Sequence, residues 1–124
     1  MGEIRTFRDL IVWQKSMTMV TDIYRATGAF PREELFGLTS QMRRCAVSIP
    51  SNIAEGYGRQ STGDYIRFLQ IALGSLYELQ TQVEIANNLN YFNNKDPLDG
   101  KSLLEQSREV ERMLKRLLDK LKNA

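Results

Sequence analysis

The stretch YIRFLQIALGSLYELQTQVEIA, residues 65–86, decides the fold class. Tyr65, Leu69, Ala72, Leu76, Leu79, Val83 and Ala86 recur in alternating steps of four and three over three heptads. That spacing lines up one face of an α-helix, whereas a strand would place apolar residues at every second position. Just upstream, Ser61 is an N-cap candidate with Asp64 three residues on, a relative of the capping box. Downstream, NYFNNKDPLDG (residues 90–100) is rich in Asn, Asp, Pro and Gly and reads as a connection.

Three more segments carry the same period. The first has its stripe at Leu10, Trp13, Met17, Val20, Tyr24 and Thr27, with Asp9 as a plausible cap and Gly28 as the stop. The second opens after Phe30-Pro31 with Glu33 and Glu34 in its first turn, where carboxylates complement the helix dipole, and runs through Leu35, Leu38, Met42, Cys45, Ile49 and Ile53. The last carries Leu103, Ser107, Val110, Leu114, Leu117 and Leu121, with Lys115, Arg116, Lys120 and Lys122 towards its C-terminal end. No strand pattern competes. The spacing therefore predicts an all-α protein, an antiparallel up-down four-helix bundle in a single domain over residues 1–124, with helices at about 9–27, 32–57, 62–92 and 98–122.

Length and composition agree with that expectation. A chain of 124 residues with 42% apolar and 26% charged residues can bury a core without disulfide or metal staples. The single Cys45 cannot pair internally, and no apolar run approaches the roughly 20 residues of a membrane span. The reading is of a cytoplasmic chain with no membrane partner. The net charge of +2, from 17 Lys and Arg against 15 Asp and Glu, is too mild to announce a nucleic-acid binder, so that reading has to rest on clustering.

Several apolar residues fall outside the stripes: Ile66, Phe68, Ile71, Leu73, Tyr77 and Ile85 in the third segment, and Ile11, Val12, Met19 and Ile23 in the first. They predict either a second buried face against another subunit or a wide core stripe. Gly74-Ser75, small residues in mid-helix, favour the close approach of a neighbour.

The stretch RRCAVSIPSNIAEGYGR, residues 43–59, is the unusual part of the second segment. A proline disfavours helical dihedrals in the residue before it, yet Met42, Cys45, Ile49, Ile53 and Tyr57 keep one phase across Pro50. Continuity of phase predicts one helix kinked at Pro50, with the Ala46 carbonyl deprived of its donor and Ser48 and Asn52 available to compensate. Arg44, Ser48, Asn52 and Glu55 form one polar row. That row is either a hydrogen-bonded network between helices or subunits, or part of a binding surface in which Arg43, Arg44, Arg59 and Arg67 offer guanidiniums to phosphate. Gly56 and Gly58 read as C-cap residues in left-handed turns.

Catalysis lacks its usual groups. There is no histidine, so the commonest general base and metal ligand is missing and the Glu-x-x-His pattern of di-iron bundles cannot exist. Cys45 lies on the apolar stripe and reads as a core cysteine, while Glu55, Glu78 and Glu84 read as solvated or ion-paired. The expectation is a non-enzyme with no cofactor and no metal.

The ordered elements Trp13, Pro31-x-Glu33, Gln41-x-x-Arg44, Ser48-x-Pro50-x-Asn52-x-Ala54-Glu55-Gly56 and Gly74-Ser75-x-x-Glu78 resemble the bacterial four-helix bundle proteins encoded within intervening sequences of large-subunit ribosomal RNA genes. The resemblance spans about residues 7–92. It implies a bundle that assembles into a homopentameric ring, and it places Gln41, Arg44, Ser48, Pro50, Asn52, Glu55, Gly56 and Arg59 in the shared motif without a catalytic role for any of them. The family is also similar to accessory proteins of diversity-generating retroelements, basic pentamers that bind nucleic acid. This chain's modest charge departs from theirs. The function expected is an oligomeric accessory module for RNA or DNA; the alternative is a purely structural or protein-binding oligomer.

Overall fold

The computed structural model describes residues 2–93 and 95–124 and contains, among them, four α-helices and no strand: α1 (Ile11–Thr27), α2 (Leu38–Tyr57), α3 (Thr62–Asn88) and α4 (Gly100–Lys122). Short 3-10 turns at Phe7–Asp9 and Arg32–Glu34 precede α1 and α2. Each helix packs on its chain neighbours, and α1 also meets α4, closing the bundle. Side-chain contacts give the directions. Cys45, Ser48 and Gly56 on α2 meet Glu78, Ser75 and Phe68 on α3, so one helix descends as the other rises. Arg43 reaches Thr27 at the end of α1 while Trp13 and Met17 near its start share a groove with Pro50, Ser51 and Ala54, and Gln106 and Glu109 on α4 reach Asp22 and Lys15, so these pairs also run antiparallel.

The core follows α3 as the heptads predict. Leu69, Ala72, Leu76, Leu79, Val83 and Ala86 are fully buried, and Tyr65 is half-buried. Met42, Cys45, Ile49 and Ile53 of α2 face them, with Ala46 and Pro50 also buried. Helix α2 is continuous through Pro50. On α4, Leu103, Ser107, Val110 and Leu114 are buried, but the last core position is Leu118, with Leu117 and Leu121 half-buried at its sides.

Helix α1 departs from its expected stripe. Its core face is Val12, Ser16, Met19, Ile23, Ala26 and Thr27, whereas Leu10, Trp13 and Val20 are half-buried and Met17 and Tyr24 are exposed. The two faces have the same spacing, and the true one is interrupted by hydroxyls. Ser16 Oγ donates to the Val12 carbonyl at 2.7 Å and Thr27 Oγ1 to that of Ile23 at 2.7 Å, so both polar groups are satisfied within the helix and tolerate burial.

Helix ends differ from the sequence reading for local reasons. Asp9 does not cap α1: Asp9 and Thr6 form a capping box around the preceding 3-10 turn, and the N–H groups of Arg5 and then Thr6 hold the Asp9 carboxyl below its ordinary pKa. The helix expected from residue 32 begins at Leu38, where Glu34 Oε1 accepts the Leu38 N–H at 3.1 Å. Helix α3 ends at Asn88, short of residue 92. Asn90 turns left-handed (φ 60°) and the Tyr91 N–H bonds the Ala86 carbonyl at 3.0 Å, a Schellman closure made by asparagine instead of glycine. Ser61 caps α3 as expected, accepting the Asp64 N–H at 3.1 Å, and Asp99 caps α4 by accepting the Ser102 N–H at 2.9 Å. Tyr91 and Phe92 then pack on Phe30, which ties the following connection to the bundle end.

Of the two glycines near the end of α2, Gly58 is the C-cap as expected and Gly56 is not. Neither adopts positive φ. Gly58 is the C-cap in ordinary helical dihedrals. Gly56 is buried inside the helix, where an added Cβ would lie 2.7 Å from Phe68 Cβ and 3.3 Å from the Tyr65 carbonyl oxygen. The residue is there for close approach of α2 to α3. Gly56→Ala should therefore destabilise the fold by about 1–3 kcal/mol despite its higher helix propensity. Urea unfolding checks this; a variant as stable as the parent would contradict the packing.

Candidate functional site

The polar row of α2 lies along its outer seam with α3, and the seam divides it. Ser48 and Ser75 hydroxyls share a hydrogen bond of 2.9 Å, and Asn52 Nδ2 donates to the Ser48 carbonyl at 2.8 Å and to its hydroxyl at 3.0 Å. Ser48 thus reaches across to α3 instead of folding back on the turn before Pro50. These three half-buried residues form a satisfied network at the level of the proline. Glu55 is exposed and pairs with Arg59 at 3.1 Å, while Gln41 is exposed at the other end of the row.

One turn before the proline, Cys45 Sγ donates to Glu78 Oε2 at 2.6 Å. Burial, then the hydrogen bond to Glu78 and its charge, push the thiol up to about 12 from an ordinary 9.0. A thiol held protonated this firmly is a poor nucleophile or metal ligand at neutral pH. Gln82, one turn along α3, is buried, and its Oε1 accepts no hydrogen bond among the described residues. Ser75, Glu78 and Gln82 follow at steps of three and four on one face of α3, but only the antiparallel register identifies them as partners of α2. Among the described residues no three His, Cys, Asp or Glu side chains come together as a metal site.

The four arginines do not form one patch within a chain. Arg43 and Arg59 are separated by about 24 Å along α2 at 1.5 Å per residue. Arg43 is half-buried and structural: its Nε donates to Thr27 Oγ1 at 3.0 Å, its Nη2 donates to the Tyr24 carbonyl at 3.2 Å, and its guanidinium lies over the Tyr24 ring. It satisfies a carbonyl that the end of α1 leaves open. Arg44 beside it is exposed and has no ion pair among the described residues. At the far end Arg59 and Arg67 come together on Phe68, with guanidinium carbons 4.8 and 5.1 Å from the ring centroid. Arg67 also lies 3.9 Å from Asp64.

Two apolar surfaces remain open. Between α1 and α2 a groove of about 350 Å3 is lined by Trp13, Met17, Val20, Val47, Pro50, Ser51 and Ala54, and so is formed in part by the face of α1 first expected to be core. On α3, Ile71, Tyr77 and Ile85 are exposed, and an added Cβ at Gly74 would meet nothing within 4 Å. Phe36, in the turn before α2, is 93% exposed. The helix expected from residue 32 contains Phe36, beside the Leu35 stripe position, so nothing in the sequence marks it as an exposed side chain on a turn.

The raised Cys45 pKa has a sign that can be tested. A group with more affinity for its proton in the folded state stabilises the fold fully below pH 9.0, and that contribution is lost as pH rises towards about 12. Glu78→Gln removes the carboxylate charge, so the pH midpoint of Cys45 reaction with a disulfide reagent should move down and the reaction at pH 8–9 should speed up. An unchanged midpoint would show that Glu78 does not hold the thiol.

No curated protein matches this chain. Among solved structures, a crystal structure of a protein of unknown function from the S23 ribosomal protein family of Bacteroides thetaiotaomicron is similar, with 26% identity and a TM-score of 0.75 over 88% of this chain and 96% of that one. No helix among the described residues is long and apolar enough to cross a membrane. The family model for the 23S rRNA-intervening sequence protein matches residues 8–116, reaching through most of α4 and well past the motifs that carry the resemblance in the sequence. The chain belongs to the 23S rRNA-intervening sequence protein family.

Proposed function

We propose that this chain is a non-enzymatic assembly module, a homopentameric ring of identical bundles in the cytoplasm. The observation that supports the reading is the presence of separate exposed apolar features on one chain, the α1–α2 groove and the Phe36 side chain on the turn before α2, with Ile71, Tyr77 and Ile85 also exposed on α3. A two-fold contact uses one patch twice, whereas a head-to-tail contact joins two different patches and closes into a ring when the rotation allows. In this reading α2 bends at Pro50, and Gly74 lets a neighbouring backbone approach α3. Ser48 and Asn52 belong to the seam that holds α2 on α3 and act on assembly by keeping these surfaces in register, while Gln41 and Glu55 flank it on the exposed side of α2.

A nucleic-acid ligand, RNA or DNA, is favoured by one further observation: Arg59 and Arg67 share the Phe68 ring, so each copy offers two oriented guanidiniums at one bundle end, with Arg44 exposed elsewhere on α2. Their ion pairs with Glu55 and Asp64 are exposed and readily exchanged for phosphate. Repetition around a ring would multiply a weak contact. The same ring without this ligand, holding only protein contacts, is the reading to which a negative binding result would lead.

Light scattering coupled to gel filtration should give a mass five times the 14.3 kDa chain. Fluorescence anisotropy with labelled single-stranded RNA should then show binding at about 50 mM salt that weakens steeply by about 200 mM, and that falls in Arg59→Gln with Arg67→Gln at unchanged mass. A chain-sized mass at every concentration contradicts the ring. An intact ring with no RNA or DNA affinity at low salt contradicts the nucleic-acid ligand.

A further inference from the structure

Phe36 and the α1–α2 groove are complementary parts of one molecule that cannot meet within it. Phe36 is the most exposed large apolar side chain among the described residues, at 93%, and it stands on the three-residue turn Leu35–Gly37 between the Arg32–Glu34 turn and the start of α2. The turn is held from beneath. Glu34 accepts the Leu38 N–H through one carboxylate oxygen and the Tyr91 hydroxyl, at 2.8 Å, through the other. Phe36 is thus presented by a braced turn, which lowers the entropy lost when its ring is captured.

The groove has the matching chemistry. Its lining contains no charged side chain and one hydroxyl, that of Ser51, and its 350 Å3 lies at the low end of the roughly 300–1,000 Å3 typical of ligand sites, with room for an aromatic ring. A charged or strongly polar occupant would lose its hydration there without finding partners, whereas an aromatic ring would bury apolar area on Trp13, Met17 and Val47. Val47 at the rim lies nine residues along α2 from Leu38, about 14 Å at 1.5 Å per residue, and Phe36 stands two residues before that helix begins, so a Phe36 seated in the groove has to come from another molecule.

We infer that the α1–α2 groove is a docking site for Phe36 of a second copy of this chain, making a head-to-tail contact in which each subunit gives one aromatic anchor and receives another. This rests on the assembly reading above and specifies its contact. Knob and groove lie at different places on the surface, so a single contact leaves one unused knob and one unused groove, and association propagates until the ring closes. A lone exposed aromatic entering a desolvated pocket is also where binding energy concentrates, so Phe36 should act as the hot spot of the contact.

Disulfide trapping reads the contact directly. In a Cys45→Ser background with Phe36 kept, the full chain carrying Leu35→Cys beside it and Val47→Cys together should oxidise to a ladder of covalent multimers, while each single-cysteine chain should give no ladder. Phe36→Ser alone and Val47→Arg alone, confirmed folded by circular dichroism, should each weaken assembly by about 30-fold or more. Mixed one to one they should restore a complex of two copies and no more, because the Val47→Arg chain still supplies a Phe36 and the Phe36→Ser chain still supplies a groove. A parent chain of monomer mass would overturn the assembly reading and this contact with it. A parent that assembles, with no 35–47 ladder and with undiminished mass in Phe36→Ser, would overturn this contact alone.

Discussion

Close approach of α2 to α3 is the constraint on which the rest of the structure depends. Gly56 has no Cβ because Phe68 Cβ occupies its place, and from that point the two helices run antiparallel with Ser48 on Ser75 and Cys45 on Glu78. Pro50 sits in the middle of this seam, where α2 lacks one backbone donor. The Asn52–Ser48–Ser75 hydrogen bonds brace α2 at that level, and the core residues Met42, Ile49 and Ile53 keep their phase against α3 on both sides of the proline. Helix α4 then docks on the far side of α3, where Glu111 accepts from Gln80 at 3.1 Å and from Tyr77 at 3.3 Å. Those donors, with Lys115 alongside, hold the Glu111 carboxyl below its ordinary pKa.

How legible a feature is in the sequence depends on whether its cause is local. The α3 stripe and the Ser61 cap are local, and both stand where the periodicity places them. The continuity of α2 through Pro50 was legible from phase alone, since core burial outweighs the loss of one hydrogen bond. Helix α1 departs from its expected stripe because two faces share one spacing and the true core face is interrupted by Ser16, whose hydroxyl bonds within its own helix; only Thr27 is common to the stripe and the core. Gly56 was misread as a cap because close approach and left-handed turns leave the same residue in the sequence. Ser75, Glu78 and Gln82 were illegible as a set, because pairing them with α2 needs a register that no short window contains.

The candidate site shows the same division. Arg43 resembles Arg44 in sequence, yet one closes the end of α1 while the other is exposed. Arg59 and Arg67 meet only because the short connection after Gly58 folds α3 back along α2, bringing both onto Phe68. Cys45 is held as a thiol by its own surroundings, and the chain has no histidine to activate it. What the fold leaves available is surface: apolar on α1–α2 and on the outer face of α3, basic at the end of the seam. The second apolar face of α1, with Trp13, Met17 and Val20, is the wall of an open groove.

Residue-resolved amide hydrogen exchange under native conditions tests most directly whether the α2–α3 seam organises the molecule. If it does, amides from Met42 to Ile53, on both sides of Pro50, exchange together with those of Leu69 to Val83, only through global unfolding and with the largest protection in the chain. Rapid exchange beginning at Ser51 and continuing to Tyr57, with α3 protected, would show that α2 frays beyond its proline and that the seam does not hold it.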